Sequence, residues 1–427
     1  MKGQKLTSKH LIAQTFCRLG KEARMLFAVL VISRKTCRFG ILIVTWLATE
    51  CLMFAFPQTA VGVESNFWAY IGTYTGGGHS KGIYISLFDA LKGEFSAPEL
   101  AFETRNPSFL AVHPTRPLLY AVAESDSVIK GQGAVSSFRM DTATGKLELV
   151  NKQPSGGTGP CHLSVDRTGK CLLIANYNNG SVEILGIKPN GELAPPNENS
   201  IIQHRGSSVN KQRQAGPHAH FIVPDPANKF ALACDLGLDK VLIYRLDLSG
   251  PQLVPNHPPS GSVDPGSGPR HLVFSQGGKF VYAVNEMGSS VSVFKYGSKE
   301  GKLEQFQTIS TLPEKFEGHN TCAEIQIHPS GKWVYASNRG HDSIAIFSAD
   351  RTGGKLRAVG NCLTEGKTPR HFALAPGGKW LIAENQDSNS LVTFAVDPES
   401  GAVRLHGKPL EIGAPVCLVF VPISAAK

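Results

Sequence analysis

One sentence recurs along this chain, and it limits the fold more than any other feature. GPCHLSVDRTGKCLLIANY begins at residue 159, GPRHLVFSQGGKFVYAVNE at 268 and TPRHFALAPGGKWLIAENQ at 368. With the register fixed on the Lys that ends each turn, Lys170, Lys279, Lys332 and Lys379 have His162, His271, Glu324 and His371 eight residues before them. Six residues after them stand Asn176, Asn285, Asn338 and Asn385. Two looser copies keep the frame: Lys229 has Asp235 ahead and His220 one step further back, and Pro117 stands between Phe109 and Ala123. APVCLVF, from Ala414, is a half-copy with Cys417 in the His slot. The copies lie about fifty residues apart, a period that belongs to repeat architectures.

Within a copy, short apolar runs alternate with turn residues. HLVF, FVYAV and VSVFKY are separated by SQGGK and MGSS, and LEQFQTIS follows KEGK. Runs of this length rich in Val, Ile, Tyr and Phe and bounded by Gly, Ser and Asn are strands joined by tight turns. Four strands per copy make a propeller blade. A β-sandwich lacks such a period, and the coils of a β-helix are much shorter. The half-copy supplies the closing device. AYIGTYT (69–75) and GIYISLFD (82–89) are the second and third strands that APVCLVF lacks, with Tyr70 matching Tyr282 and Thr73 matching Asn285. The expectation is an all-β, seven-bladed β-propeller over 63–427 whose last blade is shared by N- and C-terminal strands. Closure removes the sheet edges that invite aggregation.

Charge separates the first residues from the rest. Residues 1–60 hold nine Lys or Arg against two Glu, +7 of the chain's +9, so the remainder carries +2 and the basic balance gives no reason to expect a nucleic-acid partner. A basic opening, the apolar ILIVTWLATECLMFAF (41–56) and small residues at Ala60 and Gly62 predict a secretory signal over 1–62, hence export. A start at Met25 and an uncleaved N-terminal anchor fit the same pattern, and an upstream start on a cytoplasmic protein is the alternative. The cysteines beyond it, Cys161, Cys171, Cys234, Cys322, Cys362 and Cys417, form no C-x-x-C pair and mostly sit in strands, as small buried hydrophobes do. Neither a zinc site nor a disulfide framework is expected.

Topology turns the repeat into a site. In an up-and-down blade the start of the first strand and the end of the second lie on one face, beside the channel. The first position collects Phe109, His162, His220, His271, Glu324, His371 and Cys417, and Arg270 and Arg370 precede two of the histidines. The second collects Thr73, Ala123, Asn176, Asp235, Asn285, Asn338 and Asn385, followed in several copies by Tyr74, Glu124, Tyr177, Glu286, Arg339 or Gln386. A repeated His or Asn can simply hydrogen-bond a neighbouring blade. A purely structural device recurs unchanged, however, and here the slot becomes Glu324 once and gains an Arg twice. GHSKG (78–82) fits G-x-S-x-G, but it falls in a turn between strands, where no nucleophile elbow forms.

At this point the chain resembles a known family. GPCHLSVDRTGK, QAGPHAHFIVPDP, DLGLDKVLIYRLD, GSGPRHLVF, AEIQIHPSGKWVYASNRGHDSIAIF and TPRHFALAPGGKWLIAEN look like the lactonase family of seven-bladed propellers, over roughly 67–422. That family includes bacterial propeller-type 6-phosphogluconolactonases and fungal carboxymuconate-cyclising enzymes. The resemblance implies hydrolysis of a sugar δ-lactone without metal or other cofactor. The export leader departs from it, because a phosphorylated pentose-pathway substrate is cytoplasmic.

Lactone hydrolysis needs a base for water and a donor for the oxyanion. Glu324, His271, His371, His220 and His162 are the catalytic candidates. Arg270, Arg370, Arg339, Asn285, Glu286, Asn338 and Asn176 are candidates for holding a lactone or sugar acid, with Arg suited to clamping a carboxylate or phosphate. A lactonising isomerase and a non-catalytic binding propeller remain as other readings, and the sequence leaves the oligomeric state open.

Overall fold

The computed structural model describes residues 65–124, 133–197 and 199–423. The leader, 1–62, lies outside them. Among the described residues no helix is long and apolar enough to cross a membrane.

Seven antiparallel sheets form a ring. Blades 1 to 6 span 110–154, 160–203, 219–262, 269–310, 321–363 and 369–411, each with four strands paired in chain order. Blade 7 is stitched as the half-copy requires: Pro415–Pro422 pairs with Asn66–Thr73, which pairs with Gly82–Asp89. The innermost strand of each blade packs against the innermost strands of the next, and the last, Pro415–Pro422, packs on Leu110–Val112 of blade 1. Glu94–Phe95 and Glu99–Glu103 complete the outer edge of blade 7.

The strands read as continuous apolar runs because a blade is covered on both faces. Phe280–Asn285, Trp380–Asn385 and Cys171–Asn176 are buried at every position. Seven hydrophobic clusters lie between neighbouring blades. One of them joins Phe230, Leu232 and Ile243 of blade 3 to Val281, Phe294 and Leu303 of blade 4. Polar bonds between blades add register: the Trp380 indole of blade 6 donates to Ala90 O of blade 7 at 2.7 Å, and Tyr335 OH of blade 5 to Gly401 O of blade 6 at 2.9 Å. The six cysteines beyond the leader are free thiols.

Candidate active site

The inner strands do not enter the channel as regular strands. In blade 4 Asn285 pairs with Pro269 and Val284 with His271, which leaves Arg270 as an extra residue. The same slip singles out Cys161, His220 and Arg370 in blades 2, 3 and 6, and sets Ala323 and Glu324 together opposite Ser337 in blade 5. A β-bulge interrupts alternation and re-aims side chains. Two successive residues of a blade can therefore face the channel, and the site has two tiers.

The lower tier closes the channel. The rings of Phe109 and His162 lie 4.3 Å apart, His162 and Phe221 4.0 Å, and Phe221 and His271 4.7 Å. His271 Nδ1 donates to Glu324 Oε2 at 2.8 Å, and His371 Nε2 lies 3.5 Å from the same oxygen. Cys417, against Leu110, completes the circle. This corrects the sequence register: Phe221 holds the His slot of blade 3, and His220 is the bulged residue one tier up, equivalent to Arg270 and Arg370. His162 accepts the Ile222 N–H at 3.3 Å and so holds the backbone of blade 3.

Above this floor lies a cavity of about 200 Å³ lined by Cys161, His220 and Arg370, by Glu124, Tyr177, Glu286 and Arg339, and by Arg213. Below it a chamber of about 10 Å³, the room of a single water, is bounded by Arg270, His271, Arg370, His371 and Phe109. The two share Cys161 and Arg370 as walls.

Charge is ordered by tier. Glu286 meets Arg213 at 2.7 Å, Arg339 at 3.1 Å and Arg270 at 3.2 Å. Burial alone would raise its pKa, but Arg339, Arg270 and Arg213 together bring it down to about 2. Glu286 is thus a fixed anion that assembles guanidinium groups. Glu324, with fewer cations beside it, is pushed by burial up to about 7, against the pull of His371 and Arg270. Burial, with Arg270 next, holds His271 well below the usual imidazole range. Its tautomer follows from its partners. Arg270 can only donate, and its Nη1 lies 3.2 Å from His271 Nε2, so Nε2 accepts and Nδ1 carries the proton given to Glu324. Arg370 stacks over the Tyr74 ring at 5.2 Å, and Tyr74 donates to Glu124 at 2.9 Å.

The sequence reading separates here from the structure. Asn176, Asn285 and Asn338 line neither cavity. Their amides hold backbone and hairpin groups instead: Asn176 donates to Ser155 O at 2.9 Å and Asn338 to Thr311 O at 3.0 Å, both in loops that lead in from the preceding blade, and Asn285 to Ser290 and Ser292 of its own hairpin at 2.9 Å. Strand alternation explains it, since the next residue, Tyr177, Glu286 or Arg339, is the one that faces the cavity. Arg213 was not foreseen. It comes from the 204–218 loop, outside the repeat, anchored by Gln214 on Leu236 O at 2.9 Å and Asp239 at 2.8 Å. Glu384 was also missed, although a signal existed: the equivalent positions are Ala175, Val284 and Ser337, so a carboxylate there breaks an otherwise small or apolar pattern.

Comparison with known proteins agrees with the seven-bladed fold. The profile of the family described as lactonase, 7-bladed beta-propeller, matches residues 68–420. A 6-phosphogluconolactonase of Bacillus subtilis is 35% identical over 72% of this chain and 85% of its own length. One from Formosa agariphila is 33% identical over 71% and 85%. Among solved structures, a periplasmic gluconolactonase of Pseudomonas aeruginosa superposes with a TM-score of 0.79 at 34% identity, covering 84% of this chain and 100% of that one.

Proposed function

Because the chain belongs to the lactonase family of seven-bladed β-propellers, we propose that its upper cavity binds a six-carbon sugar δ-lactone and that His271, held by Glu324, activates the water that opens it. The chain is a lactonase and a carboxylic ester hydrolase. What carries the assignment of roles is the tautomer of His271: a neutral imidazole with an accepting Nε2 beside a water-sized chamber, and a carboxylate on its other nitrogen.

The reaction balances on these groups. As the lactone binds, Arg270 turns from His271 Nε2 to the carbonyl oxygen; water then attacks the carbonyl carbon while Nε2 takes one of its protons, and Glu324 stabilises the imidazolium so formed. The developing oxyanion lies among Arg370, Arg339 and Arg270, in a site shielded from bulk water where such charges act strongly. Collapse breaks the ring C–O bond, the ring oxygen takes the proton from His271, and the open-chain acid gives the second water proton to solvent and leaves as its carboxylate. Glu324 does not touch substrate in this scheme. His220, whose Nδ1 has no hydrogen-bonding partner among the described residues, and Tyr177 line the same cavity and would meet substrate hydroxyls.

The cation excess of the upper cavity favours a 6-phosphorylated lactone, as in the named relatives, and Arg213, 41% exposed at its rim, would meet the phosphate. An exported chain favours the unphosphorylated lactone, as in the periplasmic neighbour. Turnover of 6-phosphoglucono-δ-lactone and glucono-δ-lactone by the purified protein, each against spontaneous hydrolysis, decides between them. Acceleration of neither would refute the lactone reading and leave a binding propeller or a lactonising isomerase.

A further inference from the structure

The floor contains a second carboxylate that the scheme above leaves without a task. Glu384 lies in the second strand of blade 6, Trp380–Asn385, with no solvent exposure. Its Oε2 is 2.6 Å from His371 Nδ1, off the line of an ideal hydrogen bond, and neither of its oxygens has another hydrogen-bonding partner among the described residues. A buried carboxylate without donors is costly unless a counter-charge stands beside it. His371 is that counter-charge. Its other nitrogen faces Glu324 at 3.5 Å, so one imidazole lies between two buried carboxylates.

We propose that Glu384 is a positioning residue: it fixes His371 as an imidazolium, and that cation keeps Glu324 ionised to hold the His271 tautomer. The inference rests on the functional reading above for its kinetic consequence, but not for the charge of His371. The chain of contacts runs Glu384, His371, Glu324, His271, and each link joins neighbouring blades or strands.

The groups facing this chain support the order of effects. Burial lowers the His371 pKa, and Glu384 and then Glu324 raise it above the usual range, against Arg270 of blade 4. His162 of blade 2 and His271 of blade 4 also face His371, and Cys417 of blade 7 faces Glu384. At Glu324 burial is the largest influence. The cations His371 and Arg270 follow, and the repulsion from Glu384 is weaker than either. Removing Glu384 therefore acts on Glu324 mainly by discharging His371. Glu324 then protonates at higher pH.

Glu384→Gln keeps the shape and removes the charge. Its kcat–pH profile should show the acid limb displaced upward by about one to three pH units, with the plateau above it retained. A loss of activity equal at every pH would mean a merely structural role and overturn the proposal. Nitrogen-15 NMR of His371 supplies a readout that needs no turnover: the ring should be cationic at pH 7 in the wild type and neutral in Glu384→Gln. A neutral His371 in the wild type overturns the proposal even if that variant fails to fold. A wild type inactive on every lactone, with His371 cationic, overturns the functional reading instead and leaves the Glu384–His371 assignment standing. His371→Gln should reproduce the displaced acid limb, and an unmoved limb there contradicts the link to Glu324.

Discussion

Glu286 and Glu324, both buried and one blade apart, differ because three guanidinium groups surround the first and an imidazole pair the second. Carboxylates whose environments push them apart are how one site separates a fixed charge from a titrating one. Glu324 serves His271 only when ionised, so kcat should fall about tenfold per pH unit below about 7, the value to which burial raises it. A flat profile between pH 5 and 8 would exclude Glu324 from the active form. Arg213→Lys keeps the charge but loses the planar fork. KM for the phosphorylated lactone should rise several-fold or more and that for the neutral one much less, and equal changes would remove Arg213 from phosphate binding. Chelation should leave kcat unchanged. Arg270, a guanidinium 3.2 Å from His271 Nε2, repels a metal cation there. Loss of activity with EDTA and its return with a divalent cation would overturn this.

At the scale of the element, the bulge decides what the repeat can present. Gly268 and Gly159, both at φ +63°, start their inner strands in the left-handed region that glycine adopts freely, and the slip that follows turns Arg270 or Cys161 inward. The sequence showed the repeat and the His slot plainly. It could not show the slip, because a bulge changes pairing without changing the apolar pattern, and so the repeat register sets His220 one tier too low and gives no sign that the Asn side chains turn away from the cavity. The blade itself holds one costly group outside the site. Glu183, in Ser181–Gly186, is fully buried, neither of its oxygens has a hydrogen-bonding partner among the described residues, and burial raises its pKa to about 7. A carboxyl group with a raised folded pKa contributes most below its unfolded value, near 4.5, and that contribution is lost as pH rises through about 7. Glu183→Gln should therefore stabilise the protein by about 1–3 kcal/mol at pH 8 and by little at pH 5. Thermal melts at the two pH values check it, and an equal shift at both would show that the group does not titrate in the fold.

The ring as a whole stands on its closing strand. Pro415–Pro422 is the innermost strand of blade 7 and packs against blades 1 and 6, so deleting 414–427 should expose two edges and abolish cooperative unfolding. A soluble truncation with an unchanged melting temperature would contradict the stitched ring. Closure was legible because a half-copy at one end implies its complement at the other. The position of Arg213 was not, since a loop without a period carries no register. What the closed ring achieves is to bring residues from seven blades to one depth, and the central claim is that His271, at that depth, takes the proton from water. Lactone opening releases an acid, so a pH-stat follows it directly, with spontaneous hydrolysis subtracted, for the wild type and His271→Asn. The expected result is a kcat lowered by about 10²–10⁴ with KM little changed, since Asn can keep a hydrogen bond but cannot accept the proton. A His271→Asn protein that opens the lactone at the wild-type rate would contradict the claim.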